Sequence, residues 1–187
     1  AGLHQTNDKY QDFLVNNRKY KEFKPKEIDY IFVTHVHGDH CLLIPKLFKE
    51  GCKAKVILTA ESAAVLKDMA MDCAEINQRD VLVINTQNNK SYSPIYTEED
   101  VDKMMCNINV QAVNEKIVID DTLSYELIPA GHLLGSCQVL LHFNIDNVYK
   151  SILVTGDIGN KLVGNRFVGE YQQVKSCLLY TSPSPRD

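Results

Sequence analysis

Residues 30–40, YIFVTHVHGDH, run from four consecutive apolar positions straight into three histidines and an aspartate. An unbroken apolar run of this kind is expected of a strand covered on both faces, so residues 30–33 predict a buried strand with the histidine cluster at its C-terminal end. Beyond the cluster, Leu43 with Leu47 and Ile44 with Phe48 make i,i+4 pairs, Pro45 suits a first turn and Gly51 can close the end, which predicts a short helix. A strand that delivers polar side chains at its exit and turns at once into a helix restricts the chain to an α/β arrangement, where sites collect at strand ends.

The rest of the chain extends that arrangement. KVILT (residues 55–59) predicts a second strand, and ESAAVLKDMAMDCAEI predicts a helix with Val65, Met69, Cys73 and Ile76 on its buried stripe. Residues 77–94 read as a polar connection ending at Pro94. Thr97, followed by Glu98, Glu99 and Asp100, predicts an N-cap and a first helical turn whose carboxylates suit the helix dipole. From Ile108 the apolar period falls to two, through Ile108, Val110 and Ala112, then Leu123, Tyr125 and Leu127, then Val139, Leu141 and Phe143. Turns are expected at Asp120-Asp121 and across residues 144–147, so this half should be mostly antiparallel strands and the whole an α/β sandwich.

The cluster itself is a metal-ligand pattern. In extended chain His35 and His37 project to the same side, and Asp39 and His40 follow in the turn into the helix, with Gly38 expected to let the backbone turn tightly. Imidazole and carboxylate without thiolate suit a catalytic zinc, manganese or iron site better than a structural one. Two later segments share the pattern of a strand ending in a donor beside glycine: LIPAGHLLGS, with His132, and SILVTGDIGN, with Asp157. These two bring the candidate ligands to six.

Composition narrows the alternatives. With 187 residues, 44% of them hydrophobic and 24% charged, the chain can bury one ordinary core. No stretch approaches the roughly 18 apolar residues of a membrane span and no leader opens the chain, so no membrane association and a cytoplasmic location are expected. The six cysteines form no CxxC pair, which argues against a zinc ribbon or a secreted disulfide scaffold. A net charge of −4 gives no general basic signal for nucleic acid, although bound cations would reverse the sign locally.

THVHGDH, PAGHLLGS and VTGDIG, in this order, resemble the second, third and fourth motifs of the metallo-β-lactamase fold hydrolases, in particular the β-CASP RNA-processing branch that includes the cleavage and polyadenylation endonuclease and ribonuclease J. GLHQT and PIYTEEDVDKM support that branch, and the resemblance covers residues 2–175. It implies an αββα sandwich and two zinc ions, with manganese or iron as substitutes. One ion would be held by His35, His37 and His132, the other by Asp39 and His40, with Asp157 bridging. It further implies that Asp39, His40 and Asp157 serve catalysis and that a hydroxide between the ions attacks the phosphodiester of RNA. Alternatives are a hydrolase of the same fold acting on a thioester, lactone or small phosphodiester, and a non-catalytic subunit of an RNA-processing complex.

The resemblance also sets expectations for the ends. The family's first motif would precede Ala1 and its β-CASP insertion would follow the Asp157 strand, so residues 1–176 are expected to be a partial metallo-β-lactamase domain, incomplete at both ends and weak in its second metal site. Residues 177–187, CLLYTSPSPRD, resemble an adapter-like tail outside the fold. The remaining polar candidates are expected to be ordinary: His142 on a strand face, His4 on a surface loop near the site, Cys41 packed, Lys161 and Arg166 solvated. The oligomeric state is left open.

Overall fold

The structure, a computed structural model, describes residues 1–159 and 170–181. In chain order it contains α1 (Lys9–Asn16), a 3₁₀ turn (Pro25–Glu27), β1 (Tyr30–Phe32), α2 (Gly38–Cys41), α3 (Ile44–Lys49), β2 (Lys55–Leu58), α4 (Ala60–Asn88), α5 (Glu98–Met105), β3 (Ile108–Val110), β4 (Lys116–Val118), β5 (Leu123–Pro129), β6 (Cys137–Ile145), β7 (Val148–Val154) and β8 (Leu178–Tyr180). The strands form a three-stranded sheet in the order β1-β2-β3 and a five-stranded sheet in the order β4-β5-β6-β7-β8. This is the α/β class, with two sheets and helices, that the periodicities predict. Residue contacts divide the chain into two compact units.

The first unit comprises Ala1–Ile31, Val36–Val56 and Ala64–Asn109. Its core is helical: Ile44, Leu47 and Phe48 of α3, Val101 and Met104 of α5, and Leu66, Ala70, Cys73 and Ala74 of α4 are all buried, and α3 packs on α5. Thr97 caps α5 as expected, in a capping box with Asp100, whose carboxylate accepts from the Thr97 backbone N–H at 3.1 Å.

Two expectations for α4 are corrected. The buried stripe runs through Leu66, Ala70, Cys73 and Ala74, while Val65 and Ile76 face solvent. The helix also continues through the supposed polar connection to Asn88, because Val81 and Ile84 repeat the same stripe and bury it, leaving Leu82 and Val83 outside. β1 is only half-buried, and Val33 just beyond it is the fully covered residue.

The second unit comprises Phe32–His35, Ile57–Ala63 and Val110–Asp187. It is built on the antiparallel meander β4-β5-β6-β7, whose register pairs Leu127 with Val139 and Val139 in turn with Val154. β6 and β7 meet through Asp146 and Asn147, at φ 53° and 62°, the left-handed pair that a two-residue hairpin turn needs. Ile128, Leu140 and Leu153 form the core of one face, with Val174 against them. Tyr125 and Leu127 bury on the other, where Phe32 meets Tyr125 edge-on at 4.9 Å. Leu178–Tyr180, at the start of the expected tail, lie parallel to β7 with all three side chains exposed, so their pairing adds hydrogen bonds without burial. Residues 182–187, and Lys161 and Arg166, lie outside the described residues.

Candidate metal centre

Three turns deliver the candidate donors of the second unit. β1 leads through Val33 and Thr34 to His35, whose side chain is 1% exposed. The Thr34 hydroxyl sits 3.2 Å from His35 Nδ1. With Nδ1 carrying the proton and donating to it, Nε2 keeps its lone pair for the opposite side.

The 130–136 turn, between β5 and β6, carries His132. Ser136 organises it: its hydroxyl accepts from the backbone N–H of His132 at 3.0 Å and of Leu133 at 3.1 Å. The Gly135 carbonyl accepts from the hydroxyls of Thr59 at 2.7 Å and Ser62 at 3.1 Å, which ties the turn to the start of α4. Cys137 N–H then donates to the Thr34 carbonyl at 2.7 Å, locking the exit of the turn to the residue before His35.

The third turn, after β7, carries Asp157 behind Gly156 at φ 58°. Gly159 closes it against the His132 turn. Its N–H donates to the Ala130 carbonyl at 2.9 Å, and a Cβ at this position would stand 1.7 Å from the Gly131 carbonyl oxygen. Only a residue without a side chain permits that approach.

The result is a tight set of donors. His35 Nε2 lies 3.6 Å from Asp157 Oδ2, His132 Nε2 lies 3.7 Å from the same oxygen, and the two rings meet edge-on with centroids 5.0 Å apart. Within the second unit, one ligand atom each from His35, His132 and Asp157 falls within 4.8 Å of the other two. These separations exceed a hydrogen bond of 2.7–3.2 Å. They are close to the ~3.4 Å between neighbouring ligand atoms of a tetrahedral zinc at ~2.0–2.1 Å. Lone pairs of two neutral imidazoles and a carboxylate facing one another at this range repel, and a proton or a divalent cation among them turns the repulsion into attraction. The residues present therefore fit a divalent metal.

Asp39 and His40 belong, with His37, to the first unit. They lie on the single turn of α2, which His37 caps with its backbone at φ −66° and ψ 147°. Asp39 is 48% exposed, and its carboxylate sits 3.9 Å from His40 Nε2. The expected role of Gly38 is also corrected: it starts α2 in an ordinary conformation, where an added Cβ would meet the Leu42 side chain at 3.2 Å. The close approach in this segment belongs to Gly2, where a Cβ would stand 1.5 Å from the Asp39 carbonyl oxygen. Leu3 N–H donates to the Gly38 carbonyl at 2.9 Å beside it.

Other candidates take ordinary places. Cys41 is buried, which pushes its thiol up to about 12, so it is no thiolate near neutral pH. His142 sits on β6 opposite Ser124 and Ser151, and burial lowers its pKa. His4 is exposed and pairs with Asp12 at 2.9 Å. The supporting residues Thr34, Ser136 and Gly159 escaped sequence reasoning. The signal for Ser136 was present in GHLLGS, a hydroxyl four residues after a histidine in a glycine-bounded turn.

Comparison with known proteins agrees with this geometry. The pattern of the Metallo-beta-lactamase superfamily matches residues 1–162. Among curated relatives, the Probable RNase MJ4 of Methanocaldococcus jannaschii is 32% identical over 133 residues, 71% of this chain and 28% of the relative. Ribonuclease TTHA0252 of Thermus thermophilus is 29% identical over 139 residues, 74% of this chain and again 28% of the relative. Endoribonuclease YSH1 of Gibberella zeae is 27% identical over 144 residues, 74% of this chain and 15% of the relative. The chain thus spans little more than a quarter of the length of the first two. No helix among the described residues is long and apolar enough to cross a membrane.

Proposed function

Because the chain belongs to the metallo-β-lactamase superfamily, we propose that it carries the metal-binding part of a zinc-dependent ribonuclease of the β-CASP branch, a phosphodiesterase that hydrolyses RNA with two metal ions. The observation that carries this reading is the approach of His35 and His132 to one oxygen of Asp157, at 3.6 and 3.7 Å, in a chain whose relatives bear ribonuclease names. In the proposal His35, His37 and His132 hold one ion, Asp39 and His40 hold the other, and Asp157 serves both.

Divalent ions at this place would supply Lewis acidity toward a phosphoryl oxygen and acidify water near neutral pH. The chain's own contribution is positional. Thr34 fixes the face that His35 turns toward Asp157, and Ser136 fixes the backbone that carries His132. With ions bound, Asp157 would offset their positive charge, so its loss should cost more than the loss of one outer ligand. The chain is acidic overall, and positive charge concentrated at these donors is what would draw an RNA phosphate to them.

The test uses the full-length protein with end-labelled RNA, with and without chelator, together with elemental analysis. The expected results are two metals per chain, cleavage abolished by chelator, and no more than one metal in Asp157→Ala. Chelator-insensitive cleavage, or thioester turnover with intact RNA, would refute the ribonuclease reading. Two metals retained by Asp157→Ala would refute the bridging role.

A further inference from the structure

Charge in this chain is unevenly spread. Residues 18–26, RKYKEFKPK, hold five cations and one carboxylate, leaving fifteen cations against twenty-three carboxylates elsewhere. Arg18, Lys19, Lys21, Lys24 and Lys26 are all exposed. Lys24 pairs with Glu27 at 2.8 Å. Lys26 runs across Gly51, two residues before the exposed Lys53.

The segment is built, although most of it has no regular secondary structure. Lys46 of α3 is 2% exposed and donates to the Arg18 carbonyl, while its ammonium stands 4.0 Å from the Tyr20 ring centroid and pairs with Glu50 at 3.2 Å. Burying an ammonium is costly unless it is compensated, and here a carboxylate, a carbonyl and an aromatic face share it. Phe23 stacks on Tyr20 with centroids 4.8 Å apart and planes 28° from parallel. Phe23 remains 43% exposed. A buried cation, a half-buried tyrosine and an exposed phenylalanine thus form a column whose outermost ring meets solvent among lysines.

We propose that residues 18–26 form a docking surface for single-stranded RNA, with the lysines on the phosphates and a base stacked on Phe23; this rests on the ribonuclease reading above. The pairing of a basic strip with a presented aromatic face is what unstacked nucleic acid uses, since every base has a π-face and every nucleotide a charge. An acidic peptide would engage the lysines but gain nothing from the ring. Because Lys46 already holds the backbone of Arg18 and the ring of Tyr20, binding there orders little that is not ordered beforehand.

The test is fluorescence anisotropy with a labelled 20-nucleotide oligouridylate and the full-length protein in EDTA, where the metal donors contribute no cation. Charge reversal at three exposed positions, Lys19→Glu, Lys21→Glu and Lys24→Glu together, should weaken binding at least about 30-fold. It should also reduce the slope of log affinity against log salt by about 2, following the roughly 0.7 per phosphate of single strands. Phe23→Ala should weaken binding about fivefold and leave that slope unchanged. A poly-glutamate of equal charge, which engages the lysines but not the ring, should displace the RNA only at concentrations at least about fivefold above those of unlabelled oligouridylate.

Absence of RNA binding, or variants that bind like the wild type, overturns the proposal. So does displacement by poly-glutamate as readily as by oligouridylate with no effect of Phe23→Ala, which assigns the surface to an acidic protein. If RNA is cut but the variants bind it normally, this surface fails alone; if RNA binds here and is never cut, the hydrolase reading fails alone.

Discussion

The turns that carry His132 and Asp157 and the α2 segment that carries Asp39 and His40 present the same kinds of donor by opposite means. In the former, position is fixed by backbone: Ser136 holds two N–H groups, Gly135 accepts two hydroxyls, and Gly159 packs on the Gly131 carbonyl. In the latter, the donors ride on one helical turn, with Asp39 half in solvent and its carboxylate 3.9 Å from His40. The difference teaches that candidate donors of the same kind can be fixed by backbone hydrogen bonds in one region and ride on an exposed turn in another.

Three substitutions sharpen or break that contrast. The largest effect is expected from Gly159→Ala, which drives a methyl into the Gly131 carbonyl and must open the His132 turn. We expect a loss of ~3 kcal/mol or more in urea unfolding, in the range of severe backbone or packing faults, and at least ~100-fold weaker zinc binding by competition titration. A variant with wild-type stability would mean that the two turns do not depend on each other.

Ser136→Ala is expected to rank second. It strips an acceptor from two part-buried N–H groups, costing about 1 kcal/mol, with zinc affinity down about tenfold. Ser136→Thr, which keeps the hydroxyl, should restore most of the metal affinity. The smallest effect is reserved for Asp39→Ala in metal-free protein, within about 0.5 kcal/mol of wild type, because the side chain is half exposed and its pairing with His40 at 3.9 Å is a weak surface contact. A loss of 2 kcal/mol there would show that α2 is as tightly built as the other turns and erase the contrast.

What the sequence conveyed and what it withheld follow from the range of the forces involved. Strand and helix signals are local: YIFV, KVILT, the Thr97 cap and the period-two runs mark where strands and a helix start lie, although β1 is only half-buried and Val110 of β3 is exposed. The candidate donors His35, His132 and Asp157 stand out in the sequence because each follows a strand beside small residues. The stripe of α4 was misplaced because Val65 and Ile76 are as apolar as Leu66 and Ala70, and only tertiary packing decides which row is covered. The polar reading of residues 77–88 failed because Val81 and Ile84 are spaced among charged and amide side chains that a helix turns outward. Gly2 and Gly159 were overlooked for a related reason, since each is required by a carbonyl remote in sequence, of Asp39 and Gly131 respectively.

The β5-β6-β7 meander has a consequence for how the molecule assembles. Its strands are consecutive and the β6-β7 tip needs only two residues, so the entropy lost in closing its loops is small and such hairpins zip in microseconds. Its register sets Cys137, at the exit of the His132 turn, close to Val154, at the entry of the Asp157 turn. Nascent chain that has formed this one local ribbon has therefore already brought an imidazole and a carboxylate to the same end of it, before His35, almost a hundred residues upstream, has been recruited.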